Sequence, residues 1–528
     1  MAPSSWFKLA AVAGAVGRCV SADHTPGMPT GFALQTRKTD RPRTGNWSQI
    51  PCSDDIGQHP YNFTASEQWS ASDANHAWSD LVTFWETNDR GRVEGYTFMD
   101  SLLDNLGLFA ECVYRWSDCS PLWDCIRDVR ETPLNLTSAR SGAAGPLIGK
   151  SVATIDDIFQ GIWYSMGRGW EWRPSMNDAY IDNMTKTFAP AGFTSDNSTW
   201  DHLLADLTTL GTVAFAGPYA TSVLKRRPWF SDKPASALVN TTVALVRQSV
   251  VINKRGFEPI KNYSSPSDFS DFSHFMTRAV TKWTEAALYT GASLLDGSNE
   301  TIKIIGDVIS DGKLVETAKW VVPLPYIAAR IDLDTLINRN WYTYAIPVVW
   351  RISGTSAFVL DSGIACDDDK TSLTSVDTAT RNATGACVDG KLYYLVHPSG
   401  SSGSGRFSAP PGLADLGQFG NVTREDLVRG SVRTWVLHGR NNTGQFVDPF
   451  NNDTLTGLAQ GDVTAPGFVR LPVCGPDVAL DAWRSSSANA STVYPCNGRV
   501  GTSRGISAFG SSGALAFVVF LFAAFIVM

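Results

Sequence analysis

Apolar residues recur at helical spacing from Trp78 to Trp283. Trp78, Leu81, Val82 and Trp85 stand at i, i+3, i+4 and i+7, one face of a helix predicted to start near Ser72. Leu102, Leu103 and Leu106 continue the period. Ile155, Ile158, Phe159, Ile162, Trp163 and Met166 form a second stripe, and Ile181, Met184 and Phe188 a third that ends at Pro190. Leu203, Leu204, Leu207 and Leu210 lead into the small-residue run Gly211 to Ala220, where Pro218 is expected to break or kink the helix. Ala235 to Asn253, with Val239, Val243, Val246 and Val250, reads as helix or strand. Phe269, Phe272, Phe275, Met276, Val280 and Trp283 predict a further helix.

Beyond residue 300 the period shortens. Trp341 to Ile352 and Ser356 to Leu360 are β-branched and aromatic, and Asp389-Gly390 ahead of Lys391 to Val396 is a hairpin signal. Thr423 to Val436 is a late helix candidate. The expected fold is α+β, a mostly α N-terminal domain followed by a β-rich, disulfide-stabilised C-terminal region. The expected divisions are 1–22 leader, 23–65 extended segment, 66–300 helical domain, 301–398 β-rich region, 399–411 Gly/Ser linker or loop, 412–500 C-terminal α/β segment and 501–528 tail. The extended segment is rich in Pro, Gly, Thr and charge, with Cys52 as its expected sole anchor.

The two ends carry addresses. Lys8, the apolar core Leu9 to Val16 and the small residues Val20-Ser21-Ala22 have the order of a secretory signal peptide, with Arg18 the one departure. At the other end, Gly501-Thr502-Ser503, the spacer Arg504 to Gly513 and the apolar run Ala514 to Met528 fit a glycosylphosphatidylinositol (GPI) attachment signal, with Gly501 as the attachment residue. A single C-terminal membrane span is the alternative, although the run is shorter than the roughly 20 apolar residues a spanning helix needs.

Thirteen Asn-x-Ser/Thr sequons support secretion, at Asn46, Asn62, Asn135, Asn183, Asn197, Asn240, Asn262, Asn299, Asn382, Asn421, Asn441, Asn452 and Asn489. Chance would place about four in a chain of this composition, so the excess reads as glycosylation on exposed surface. Of nine cysteines, Cys19 would leave with the leader. The other eight, Cys52, Cys112, Cys119, Cys125, Cys366, Cys387, Cys474 and Cys496, form an even set suited to disulfides in an oxidising compartment. Proximity favours Cys366 with Cys387 and Cys474 with Cys496, leaving the first four to pair among themselves.

Composition narrows the chemistry further. A formal charge of −7 argues against nucleic acid as a partner. No Cys-x-x-Cys pair and no two histidines at ligand spacing occur, so no metal site is expected, and no nucleotide or cofactor fingerprint is present. Phe358 to Gly363 resembles half of an aspartic-protease site, but the second Asp-Ser/Thr-Gly that this chemistry requires is missing. Asp332 and Asp334 would share one face of a strand, where a solvated face is the plainer reading than a glycosidase pair. No catalytic residue is assigned. The candidate ligand-binding residues are Trp170 and Trp172, in a Gly-containing turn between Trp163 and Arg173, where exposed rings would stack on sugars.

Taken in order, Trp78-x-x-Leu81-x-x-Phe84-Trp85, the Cys cluster, Ile155 to Met166, Lys186 to Pro190 and the Gly211 to Phe230 run resemble a helical accessory region of large secreted fungal proteins. Some of these are chitinases of the killer-toxin-like group. The resemblance covers Trp78 to Asn253 and implies a fungal, extracellular, cell-wall setting. It brings no active site, because the Asp-x-x-Asp-x-Asp-x-Glu signature of those chitinase barrels is absent here. Two readings follow: a non-catalytic cell-surface glycoprotein, attached through its C-terminus and binding wall polysaccharide, or an extracellular carbohydrate-active hydrolase with an unrecognised carboxylate pair.

Overall fold

The computed structural model describes residues 43–51, 55, 62–91, 97–106, 142–167, 178–192, 212–257, 272, 276, 290–291, 293–315, 328–368, 373–400, 405–442, 451–485 and 493–497. The leader, the tail with Gly501, the residues 399–411 in part, and Cys52, Cys112, Cys119 and Cys125 lie outside that set.

Helices dominate the first two thirds. They are α1 (Ala65–Ala71), α2 (Ala74–Phe84), α3 (Phe98–Leu106), α4 (Ala144–Gly167), α5 (Asp178–Phe188), α6 (Thr212–Lys225), α7 (Ala235–Phe257), α8 (Asn299–Ile309) and α9 (Ala328–Ile352). Their apolar stripes bury as expected: Ile155, Ile158, Phe159 and Ile162 of α4 and Ile181, Met184 and Phe188 of α5 are each at most 1% exposed. The Ala235 to Asn253 span resolves as helix. Pro218 does not end α6, which runs through it to Lys225. The lost backbone donor is tolerated where neighbouring packing holds the helix, here Gly217 against Ala459 and the bond from Thr221 Oγ1 to the Ala459 carbonyl at 2.8 Å.

Trp341 to Ile352 corrects the β reading. It is the second half of α9, and Trp341, Tyr342, Ala345, Ile346, Val349, Trp350 and Ile352 are all buried. A helix enclosed on nearly every side loses the polar face that would reveal its period, so its bulky residues mimic a buried strand. Asp332 and Asp334 also lie on α9. Positions two apart on a helix stand about 200° apart around its axis, so the shared strand face expected for them does not exist.

The 43–51 segment holds a second correction. Trp47, 4% exposed, joins the main core, and its indole Nε1 donates to Asp80 Oδ2 at 2.8 Å. This stretch is therefore anchored by a tryptophan, independently of Cys52.

The sheet follows α9: β1 (Phe358–Ala365), α10 (Thr378–Thr384), β2 (Gly385–Val388), β3 (Lys391–Ser399), β4 (Arg406–Ser408), α11 (Arg424–Leu437), α12 (Asn452–Ala459), β5 (Val473–Cys474) and α13 (Pro476–Arg484). The strand order is β2-β3-β1-β5, with β4 on the far end of β3; β1 and β5 run parallel and the other pairs antiparallel. Asp389 and Gly390 both take positive φ, 50° and 77°, as a two-residue turn joining β2 to β3 requires. Alternation along β1 and β3 divides two cores. Val359, Tyr393 and Leu395 enter the main one, whereas Phe358, Leu360, Tyr394 and Val396 meet Phe407, Ala479 and the Cys474–Cys496 disulfide in a smaller one.

Both proximity pairings are formed, Cys366–Cys387 and Cys474–Cys496, with Cα separations of 5.7 and 5.5 Å. The Asp361-Ser362-Gly363 motif is a bulge inside β1: the pairing with β3 slips between Asp361 and Ala365, and the Gly363 N–H closes onto Asp361 Oδ1 at 2.9 Å. Helix α11 begins with a capping box between Thr423 and Asp426. The same Asp426 carboxylate accepts both contacts of Arg339 Nη2 from α9, at 2.8 and 2.9 Å, tying the helical half to the sheet half.

Candidate functional site

A groove of about 390 Å³ opens between α2 and α8, two elements more than two hundred residues apart in sequence. Its apolar wall is Trp69, Trp78, Val82, Ile302 and Ile309, and its polar groups are Asn75, Ser79, Thr83, Lys303, Asp307 and Ser310. The helical period explains the division. On α2, Ala74, Ala77 and Leu81 point into the core, Trp78 and Val82 sit on the border of that stripe, and Asn75, Ser79 and Thr83 fall outside it.

Trp78 is half-buried, its ring edge-on to Phe98 at 5.8 Å and 87°. It can lie this close to α8 because residue 306 is glycine; a Cβ there would meet Trp78 Nε1 at 2.8 Å. Trp69 is almost fully enclosed and donates through Nε1 to Asn75 Oδ1 at 2.8 Å, which fixes the amide at the rim. The Thr83 hydroxyl turns back to the Ser79 carbonyl at 2.9 Å. Behind the lining, Lys313 Nζ contacts Ser310 Oγ at 2.9 Å, and burial holds the Lys313 ammonium below the usual lysine range despite the carboxylates of Asp311 and Asp307.

A half-exposed indole bordered by an amide, hydroxyls, one ammonium and one carboxylate suits a neutral polyhydroxylated ligand: the ring takes an apolar sugar face, and the polar rim takes hydroxyls and amides. Among the residues lining this groove Asp307 is the one carboxylate, whereas glycoside hydrolysis ordinarily uses two. No group of three or more metal-ligating side chains occurs among the described residues, and no helix there is long and apolar enough to cross a membrane.

Trp170 and Trp172 lie outside the described residues. Trp163, on their N-terminal side, is half-buried on α4 and packs against the main core, as its place on the apolar stripe predicts. The helical period places Trp78 on the core stripe and so does not predict the groove. The usable signal was a tryptophan at the stripe's border with Asn75, Ser79 and Thr83 beside it.

Comparison with known proteins adds the setting. The chain is 30% identical over 503 residues to a probable chitinase, LysM18, of Penicillium expansum, a match covering 86% of this chain and 33% of that protein. It is 26% identical over 520 residues to the secreted chitinase LysM12 of the same fungus, covering 87% of this chain and 33% of that protein. This is a relative of fungal proteins named as chitinases. The chain spans about a third of the length of these curated relatives. No family model and no solved structure matches it.

Proposed function

We propose that this chain is an extracellular fungal glycoprotein whose helical body binds wall polysaccharide of the chitin type, held at the cell surface through its C-terminus, without hydrolysing its ligand. The observation that carries this reading is the match itself. It runs through 86% of this chain, yet occupies only a third of relatives whose names state chitinase activity. The chitinase barrel signature is absent from the sequence, and the α2–α8 groove offers a sugar-sized aromatic platform with a single carboxylate. Trp170 and Trp172 are proposed as a second contact.

The test is binding of the purified ectodomain to colloidal chitin, chito-oligosaccharides and β-glucan. Trp78→Ala is expected to weaken chitin binding by about tenfold, the scale of one lost aromatic contact. Lys303→Ala with Thr83→Ala, both exposed positions, should weaken it without lowering the melting temperature, and the Trp170→Ala/Trp172→Ala pair reports on the second contact. Unchanged binding in all three variants overturns the platform. Release of reducing ends from chitin, abolished by one Asp or Glu substitution, favours the hydrolase that the relatives' names suggest.

Surface attachment is tested separately. Phosphatidylinositol-specific phospholipase C is expected to release the protein from membranes, with Gly501 as its last residue. Retention, with Met528 still detectable, favours a membrane span.

A further inference from the structure

Nine of the thirteen sequons fall within the described residues, and all nine acceptor asparagines are exposed. Of the eight other described asparagines with placed side chains, only Asn75 and Asn88 are exposed, so exposure goes with the sequon rather than with the residue type. The hydroxyls that complete these sequons behave differently. Asn183 lies within α5, Asn240 within α7 and Asn382 within α10, while Asn299 and Asn452 open α8 and α12. Their second-following residues, Thr185, Thr242, Thr301, Thr384 and Thr454, are at most 2% exposed.

Helix geometry forces this opposition. Residues two apart point about 200° from each other, so an outward asparagine sends its threonine inward. Each of the five hydroxyls is also engaged. Thr185 Oγ1 donates to the Ile181 carbonyl at 3.0 Å, Thr384 Oγ1 to the Thr380 carbonyl at 2.7 Å, and Thr454 Oγ1 to the Pro466 carbonyl at 2.6 Å. Thr301 Oγ1 donates to Asp296 Oδ1 at 2.7 Å, and Thr242 shares a bond with Thr221 at 3.1 Å. Asn62 and Asn421 differ, because their partners Thr64 and Thr423 are exposed N-caps in the turns before α1 and α11.

We propose that Asn183, Asn240, Asn299, Asn382 and Asn452 are N-glycosylation sites that accept sugar only before their helices form, whereas Asn62 and Asn421 stay open acceptors on the folded protein. The sequon is defined by the amide and the hydroxyl together, so the enzyme that reads it must reach both. In the folded chain one faces water and the other the core. In the transfer, the asparagine amide nitrogen forms a bond to C1 of the sugar on a lipid-linked oligosaccharyl diphosphate. The C1–O bond breaks, the lipid diphosphate departs with the electron pair, and the amide proton passes to the enzyme. Folding then closes the site behind the glycan. The proposal rests on entry into the secretory pathway.

The experiment maps site occupancy by mass spectrometry on the full-length protein secreted from a glycosylating host. It then offers unglycosylated protein, folded with its disulfides or reduced and unfolded, to a purified oligosaccharyltransferase with a lipid-linked donor. The five helical sites are expected to be occupied in the secreted protein. In vitro they should react at least about tenfold more slowly in the folded than in the unfolded form, as local opening limits access, while Asn62 and Asn421 react alike in both. Should the unglycosylated chain not fold, the residual empty fraction of the native secreted glycoprotein serves as folded substrate. Equal reaction at the five sites in folded protein overturns the proposal. So does a secreted protein occupied at Asn62 and Asn421 but empty at all five. Absence of sugar at every sequon would instead remove the secretory reading on which the proposal stands.

Discussion

Two histidines are perturbed in opposite directions, for reasons that lie within a few ångströms of each ring. His76 Nδ1 contacts Asp73 Oδ1 at 2.6 Å, and this hydrogen bond with the aspartate charge raises the imidazole above its ordinary range. Burial pushes the Asp73 carboxyl up, but bonds from His76 and from the backbone N–H groups of Asn46 and Trp47 outweigh it and leave Asp73 low. His397, bonded to Ser408 Oγ at 3.0 Å between β3 and β4, is lowered by burial. The signs follow from linkage. The His76 contribution is fully present below its unfolded value of about 6.5 and fades as pH rises through its folded value. His397 is the reverse: the unfolded chain takes the proton first, so the β3–β4 contact weakens as pH falls below about 6.5. Histidine ring signals followed by NMR between pH 5 and 8 should show His397 titrating at lower pH than His76; amide protection relative to intrinsic exchange should fall at 44–47 toward alkaline pH, and at Phe407 toward acid.

At the scale of elements, helix contacts turn on residues without side chains. A Cβ on Gly217 would stand 2.8 Å from the Ala459 Cα, a backbone atom, so α6 and α12 could not keep their separation. Tyr219, two residues on and so turned to the other side of α6, places its hydroxyl where a Gly161 Cβ would be; burial and the nearby Asp157 push that phenol up to about 12. Alanine at position 217 gains up to about 1 kcal/mol of helix propensity, yet overpacking typically costs about 1–3 kcal/mol, and the net expected is destabilisation. Gly417, with open space around it, is the control, and Gly417→Ala should leave the melting temperature unchanged. Denaturant unfolding of both variants checks this. Contacts of this kind are invisible in a single sequence, because they join α6 to α12. The stripes of α4 and α5, the Asp389-Gly390 turn and the helix that starts at Thr423 are legible locally. The second half of α9 is not legible because burial on nearly all sides erases its polar face, and the α2–α8 groove because it exists only once residues near 78 and near 306 meet.

For the whole molecule, one apolar core runs from Trp47 to Val473, with a smaller one on the other face of the sheet. The two disulfides among the described residues lie with that sheet, and each closes a short loop, of 21 and 22 residues. Removing Cys366–Cys387 by double alanine substitution is expected to cost about 3 kcal/mol through loop-closure entropy. Calorimetry should register the loss as a lower melting temperature.

The second bridge has a mechanical meaning. Cys474 belongs to β5, which lies parallel to β1, and Asn442 exchanges both amide bonds with the Val473 backbone at 2.8 and 2.9 Å. Any tension arriving from beyond Cys496 passes through sulfur straight into β5, bypassing α13 and the rest of the intervening loop. That loop, worth roughly 7–8 nm of extended chain, cannot be drawn out while the bridge is intact. A protein tethered by its C-terminal end would thus take the load on a strand inside its sheet, with α13 and its loop spared.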